Sequence, residues 1–155
     1  DTETIVSGIK YPNSSNPPAQ SLPITLEQIS QWEEAAQSAG VIQGNYQPSP
    51  GSSLGPVKIV GNLTFPTNNN DNPVIIAGPI WVTGKVSASG NVKIKLKTGL
   101  AFGYPIIADN SEDRQNQGKI VLTNNVITED NSQGGYLIFI YTNQSLSDDD
   151  PAILI

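Results

Sequence analysis

The sequence predicts an all-β chain: a short right-handed β-helix-like solenoid capped by one N-terminal amphipathic helix. Three observations carry that expectation. Val57, Ile59, Gly61 and Leu63 are echoed by Ile80, Val82, Gly84 and Val86. In both runs apolar residues take alternate positions, the period of a strand with one buried face. The repeat, at about two dozen residues, is of the length that stacks coil upon coil. A β-sandwich is the alternative that alternating short strands also allow.

Taken in order, residues 1–22 form an extended arm. Tyr11-Pro-Asn-Ser-Ser-Asn-Pro-Pro favours a polyproline-like path without a core of its own. Residues 23–155 form the helix-capped solenoid domain. Thr25-Leu-Glu-Gln28 reads as a capping box, with Ile24 and Ile29 spaced as a hydrophobic staple and Glu27 in the first turn. Leu26, Ile29, Trp32, Ala36 and Ala39 then recur as one apolar stripe. Gly40 is expected to stop the helix in a left-handed conformation. An amphipathic helix beside a strand solenoid can cover the open end of the stack or lie along a flank, and the end is the expected place.

Val41-Ile-Gln-Gly-Asn-Tyr46 reads as a strand, and residues 47–54 as a Pro/Ser/Gly loop. Further strands follow at Gly55-Pro-Val-Lys-Ile-Val, Ile80-Trp-Val, Gly90-Asn-Val-Lys-Ile-Lys-Leu, Ile106-Ile-Ala, Lys119-Ile-Val-Leu-Thr and Tyr136-Leu-Ile-Phe-Ile-Tyr. Polar loops over 66–73, 110–117 and 128–135 separate them. Pro151-Ala-Ile-Leu-Ile155 reads as one more strand. Such an apolar edge calls for a pairing partner, inside the fold or from another subunit.

Composition narrows the function. The 155 residues carry 14 acidic and 8 basic side chains, a net charge of −6. That balance argues against nucleic-acid binding, which needs clustered Lys and Arg. Lys93, Lys95 and Lys97 alternate along one strand and read as a wetted sheet face. With no Cys, His or Met, a Cys or His nucleophile is excluded and a zinc or copper site nearly so. No apolar run approaches the roughly 20 residues that span a bilayer. Nor does the chain open on a charged and apolar leader, so any export signal or anchor is expected to lie outside it.

The run Pro23-Ile-Thr-Leu-Glu-Gln-Ile-Ser-Gln-Trp32, with Ala36, Gly40, Ile42, Gly44 and Leu54-Gly-Pro-Val-Lys-Ile-Val-Gly-Asn-Leu63, resembles bacterial surface proteins of the pilus-assembly or minor-pilin-like kind. Ile80-Trp-Val-Thr-Gly-Lys-Val86 and Ile106-Ile-Ala-Asp109 are similar to later landmarks of that pattern, so the resemblance runs from about Pro23 to the end. It implies an N-terminal helix, a right-handed β-helix-like region and a place in a surface appendage. The sequence departs from the pattern over 110–117, where a tight turn is expected.

Three kinds of side chain are candidates for chemistry. Carboxylates gather in loops at Asp109, Glu112 and Asp113, at Glu129 and Asp130, and at Asp148, Asp149 and Asp150. Calcium accepts such oxygen ligands in irregular loops, and Asp109 and Asp113 are the expected ligands if it binds. The spacing matches no EF-hand, and solvated turns are the expected reading of the clusters. Arg114 reads as a counter-ion within its acidic loop. Carboxylates scattered over separate loops do not make a glycosidase pair, so no enzyme activity is expected. Among the aromatics, Trp81 falls on the face opposite the core, where it could stack on a glycan, anchor a partner or be covered by the helix or the arm. Tyr136, Ile153 and Ile155 are further candidate interface residues. Asn68, Asn69, Asn70, Asn124 and Asn125 suit structural turn ladders. The sequons at Asn13, Asn62 and Asn143 are no more than an Asn-rich chain gives by chance.

The expected function is a non-enzymatic structural or adhesive module, secreted or at the cell surface and associated with a pilus-like appendage. Its partners would be other appendage subunits or, as a self-polymerising filament, further copies of itself; a carbohydrate-binding or carbohydrate-active domain with a glycan partner is the lesser alternative.

Overall fold

The computed structural model describes residues 24–68, 71–99, 103–114 and 117–142, and the backbone of 153–154. The expected arm over 1–22 lies outside these residues. So do Asn69, Asn70, Asp148, Asp149, Asp150, Ile155 and the sequons at Asn13 and Asn143.

Helix α1 (Leu26–Ala39) is followed by β1 (Val41–Gln43), β2 (Ser53–Leu54), β3 (Val57–Val60) and β4 (Leu63–Phe65). Next come β5 (Val74–Ile76), β6 (Ile80–Val82), β7 (Val86–Ser89), β8 (Val92–Leu96) and β9 (Tyr104–Ala108). The chain closes with β10 (Ile120–Thr123), β11 (Val126–Glu129), β12 (Leu137–Tyr141) and β13 (Ile153–Leu154).

The strands form three sheets, ordered β1-β3-β6-β9-β12, β4-β7-β10-β13 and β2-β5-β8-β11. From β3 onward the chain visits the first, second and third sheet in strict rotation, and strand pairing is parallel throughout. A sandwich of hairpin-linked antiparallel strands is not what forms. The architecture is compatible with a β-helix-like solenoid bearing an N-terminal helix.

Register follows the repeat in the sequence. Val57 pairs with Ile80, Ile59 with Val82, and Leu63 with Val86. At the corner between them the Gly84 N–H donates to the Gly61 carbonyl at 2.9 Å. A Cβ on Gly84 would stand 2.6 Å from that carbonyl oxygen, and one on Gly61 would strike the Gly44 backbone. Side chains cannot fit where three backbone corners stack this closely.

Inward residues of all three sheets meet in one apolar cluster, including Ile59, Val82 and Ile106 from the first, Leu63 and Ile120 from the second, and Val74 and Ile94 from the third. On the second and third sheets the inward positions are apolar and the outward ones mixed, with Thr64, Ser87, Lys93 and Lys95 beside Val121, Ile75 and Ile127. Asparagines tie successive corners together. Asn125 Nδ2 donates to Asn91 Oδ1 at 2.8 Å, and Asn62 N–H to Asn45 Oδ1 at 3.0 Å. Buried Asn68 is bonded to both the N–H and the carbonyl of Lys93. Asn68, Asn124 and Asn125 thus all act between coils, Asn124 by donating to Ser89 Oγ.

The helix differs from expectation in three respects. Thr25 caps it as expected, accepting from the Gln28 N–H at 3.2 Å. But α1 packs against β3 and β6, so it covers the outer flank of the first sheet and is not an end cap. Leu26 (82% exposed) and Ala39 lie outside the contact, and the packed face is Ile29, Trp32, Glu33 and Ala36. Gly40 is extended, with φ 161°, and not left-handed. The cause is the next element: the Gly40 carbonyl already accepts the Lys58 N–H at 2.9 Å, so the helix runs directly into the sheet.

Two strands enter expected loops, β2 at the end of 47–54 and β11 at the start of 128–135. β2 pairs with β5. β13 pairs with β10, so the last expected strand finds a backbone partner within the chain.

Candidate functional site

The outer face of the first sheet is where polar and titratable groups converge. β9 supplies Ile107, wholly buried although it faces away from the core cluster. It lies beside Trp81 of β6 in register. With α1 on this flank, the sheet is apolar on both faces here, which explains why Pro105, Ile106, Ile107 and Ala108 run without a polar break.

Trp81 is half-buried and held on two sides. Its Nε1–H donates to the Asp109 carbonyl at 2.9 Å. Lys58 Nζ sits 3.5 Å from the ring centroid and donates to Gln37 Oε1 of the helix at 3.0 Å. A cation over an indole in this position stabilises both side chains.

Asp109 follows β9 on the same side of the sheet as Ile107, facing α1, and is 4% exposed. Arg114 Nε and Nη2 reach its two carboxylate oxygens at 3.0 and 3.2 Å, a bidentate pair. The Thr142 hydroxyl donates to Oδ1 as well. Burial alone would raise the Asp109 pKa, yet the Arg114 and Thr142 bonds outweigh it and hold the carboxyl below its usual value. The hydrogen bond to Asp109 in turn raises Arg114.

Glu33 of α1 faces this pair. Its Oε1 is fully buried and meets no hydrogen-bond donor. Burial first, then the neighbouring Asp109 charge, push its pKa up to about 7, against partial relief from Arg114 and Lys58. A hydrogen bond between two carboxyls needs one proton. Burial places that proton on Glu33, while Arg114 keeps Asp109 ionised. Below about pH 7 the cluster therefore joins helix, sheet and corner loop through one neutral acid, one carboxylate and one guanidinium.

Comparison with protein-family models, curated proteins and solved structures finds no match.

Beside the cluster, the loop after β9 folds back over the sheet. The Glu112 N–H donates to Asn110 Oδ1, and Asn110 Nδ2 to Gln117 Oε1, both at 3.1 Å. The loop thereby walls a notch of about 220 Å³, whose floor is Lys58, Val60, Trp81 and Thr83 and whose wall is Asn110, Ser111 and Glu112.

The residues singled out from sequence fall in separate places. Asp109 is engaged by Arg114, whereas Asp113 accepts from Gln117 Nε2 at 3.4 Å. Among the described residues no three acidic side chains converge as a metal-binding group. Arg114 is the counter-ion its position indicated. Trp81 lies under the flank helix rather than standing clear. Tyr136, 67% exposed, sits just before β12, and the Ile153 backbone pairs with Ile120. On the third sheet Glu129 bridges Lys93 and Lys95 at 2.9 and 3.5 Å, and the Lys93 bond in particular lowers its pKa. Among the described residues no helix is long and apolar enough to cross a membrane.

Glu33 was the residue that sequence reasoning missed. It lies four positions after Ile29 and three before Ala36, within the stripe, but an acid there reads by default as part of the wet face.

Proposed function

We propose that the chain is a closed, right-handed β-helix serving as a non-enzymatic structural and adhesive module of a secreted or cell-surface appendage, pilus-associated as its resemblance implies. One observation carries this reading. The coils stay in register while their length changes: 23 residues separate Thr64 from Ser87, and 34 separate Asn91 from Asn125. The added length enters largely at one corner, between β9 and β10, where the earlier coil needs only Thr83, Gly84 and Lys85. A stack that tolerates corner insertions can vary what it presents while its core repeats. Antibody labelling of producing cells tests the reading: signal on external appendages supports it, and signal confined to the cytosol overturns it.

A second reading, end-to-end stacking of copies, draws on β12. It is the last strand of the first sheet, half-exposed along most of its length, with Tyr141 40% exposed. An edge of this kind favours pairing with another chain. Sedimentation at rising concentration tests it: growing assemblies support the filament, and a constant monomer overturns it.

A further inference from the structure

We propose that the notch between the first sheet and the β9–β10 loop is a binding subsite for one neutral pyranose ring of a glycan; this rests on, and deepens, the adhesive reading.

The lining chemistry selects the ligand. Lys58 offers only donors, and the Glu112 carboxylate only acceptors, while the hydroxyls of Ser111 and Thr83 offer both. A vicinal diol meets such a mixed set, because each sugar hydroxyl gives one hydrogen bond and accepts others. A phosphate or sulfate would face the Glu112 carboxylate, and a simple cation would face Lys58. Val60, 37% exposed, and the part of Trp81 left open beside Lys58 supply apolar surface for sugar C–H groups. The Lys58 ammonium occupies the space over the indole ring. The sugar therefore packs against the side of the Lys58–Trp81 pair rather than flat upon the ring, and takes a hydrogen bond from the ammonium.

Size agrees. A volume of about 220 Å³ is below the roughly 300–1,000 Å³ of sites for drug-sized ligands and suits a single ring. The wall is set before binding: the Asn110 amide fixes the Glu112 backbone and is itself held by Gln117. A pre-formed loop spends less affinity on ordering. One ring with few buried contacts binds in about the millimolar range, which suits an adhesive surface that acts through many copies.

The test is a two-dimensional amide NMR titration of the whole chain with glucose, galactose, mannose and N-acetylglucosamine, and with glycerol as a diol too small to fill the notch. The expected result is saturable shifts for at least one sugar, centred on the Trp81 indole N–H and the amides of 110–112. Ser111→Ala and Glu112→Ala, both on the exposed loop, should each weaken that binding about three- to tenfold and leave the remaining spectrum unchanged. Three results would overturn the proposal: no saturation with any of the four sugars up to about 100 mM, shifts matched by glycerol, or binding indifferent to both variants. Any of them, combined with external labelling of the appendage, would remove the subsite and leave the structural module standing.

Discussion

Replacing Glu33 with glutamine should stabilise the protein above neutral pH and leave it unchanged in acid. The Glu33 carboxyl titrates near 7 in the folded chain, against an ordinary 4.5. Below 4.5 both folded and unfolded chains hold the proton. Between 4.5 and about 7 only the folded chain does, so stability falls as pH rises through that window and levels off above it. At about 1.4 kcal/mol per pH unit the span sets an upper bound of about 3 kcal/mol. Solvent reaching the half-buried side chain reduces it to about 1–2 kcal/mol. The glutamine amide cannot ionise, and it can donate to Asp109 where the carboxylate would repel it. Urea denaturation followed by circular dichroism, across about pH 4 to pH 8, should give coincident curves in acid and a gain of about 1–2 kcal/mol for Glu33→Gln at the alkaline end. Parallel pH profiles for the two proteins, or a variant less stable at every pH, would refute the placement of the proton on Glu33.

Other substitutions probe the stack and its corner loop. Arg114→Ala leaves Asp109 buried without its cation and should cost about 2 kcal/mol by the same denaturation assay. Asp109 itself contributes stability above its ordinary value of 3.8 that is lost as pH falls through its lower folded value; the Asp109→Asn variant should lack this acid limb in a pH-dependent melt. Gly84→Ala drives a methyl group into the Gly61 carbonyl and Asn62 Oδ1, and should lower stability by about 2–4 kcal/mol in thermal unfolding. Asn68→Ala strips two hydrogen bonds from the Lys93 backbone and should cost about 2 kcal/mol, with faster exchange of the Lys93 amide. Glu129→Gln, on an exposed pair of ion pairs, should leave the melting temperature unchanged.

The stacking was legible because inward residues and corner glycines recur at matching positions, and the eye can lay Val57 to Leu63 over Ile80 to Val86. The expanded corner was legible only as a break in that repeat. The helix itself could be read from Thr25 and Gln28, but its docking site required a comparison across sheets. Outward positions on the first sheet include Lys58, Trp81, Ile107, Ile138 and Ile140, whereas the second sheet turns out Thr64, Ser87 and Val121 and the third Ile75, Lys93, Lys95 and Ile127. The bulkier apolar outer face of the first sheet marks the flank that takes a cover. The Glu33–Asp109–Arg114 cluster was not legible beyond Arg114 and its loop. Residues 76 and more positions apart meet only because the helix folds back along the stack, and no local spacing encodes that. The paired Gly55-Pro56 and Gly78-Pro79 were a readable signal of the same repeat: a Cβ on Gly78 would contact Pro56 within 3 Å.

The winding itself is open to one direct measurement, NMR scalar coupling transmitted through backbone hydrogen bonds. Stacked coils predict couplings from the Thr83 amide to the Ile59 carbonyl, from Leu63 to Lys85 and from Ala77 to Leu54, one on each of the three sheets. Couplings that instead join neighbouring strands in antiparallel hairpin order would contradict it.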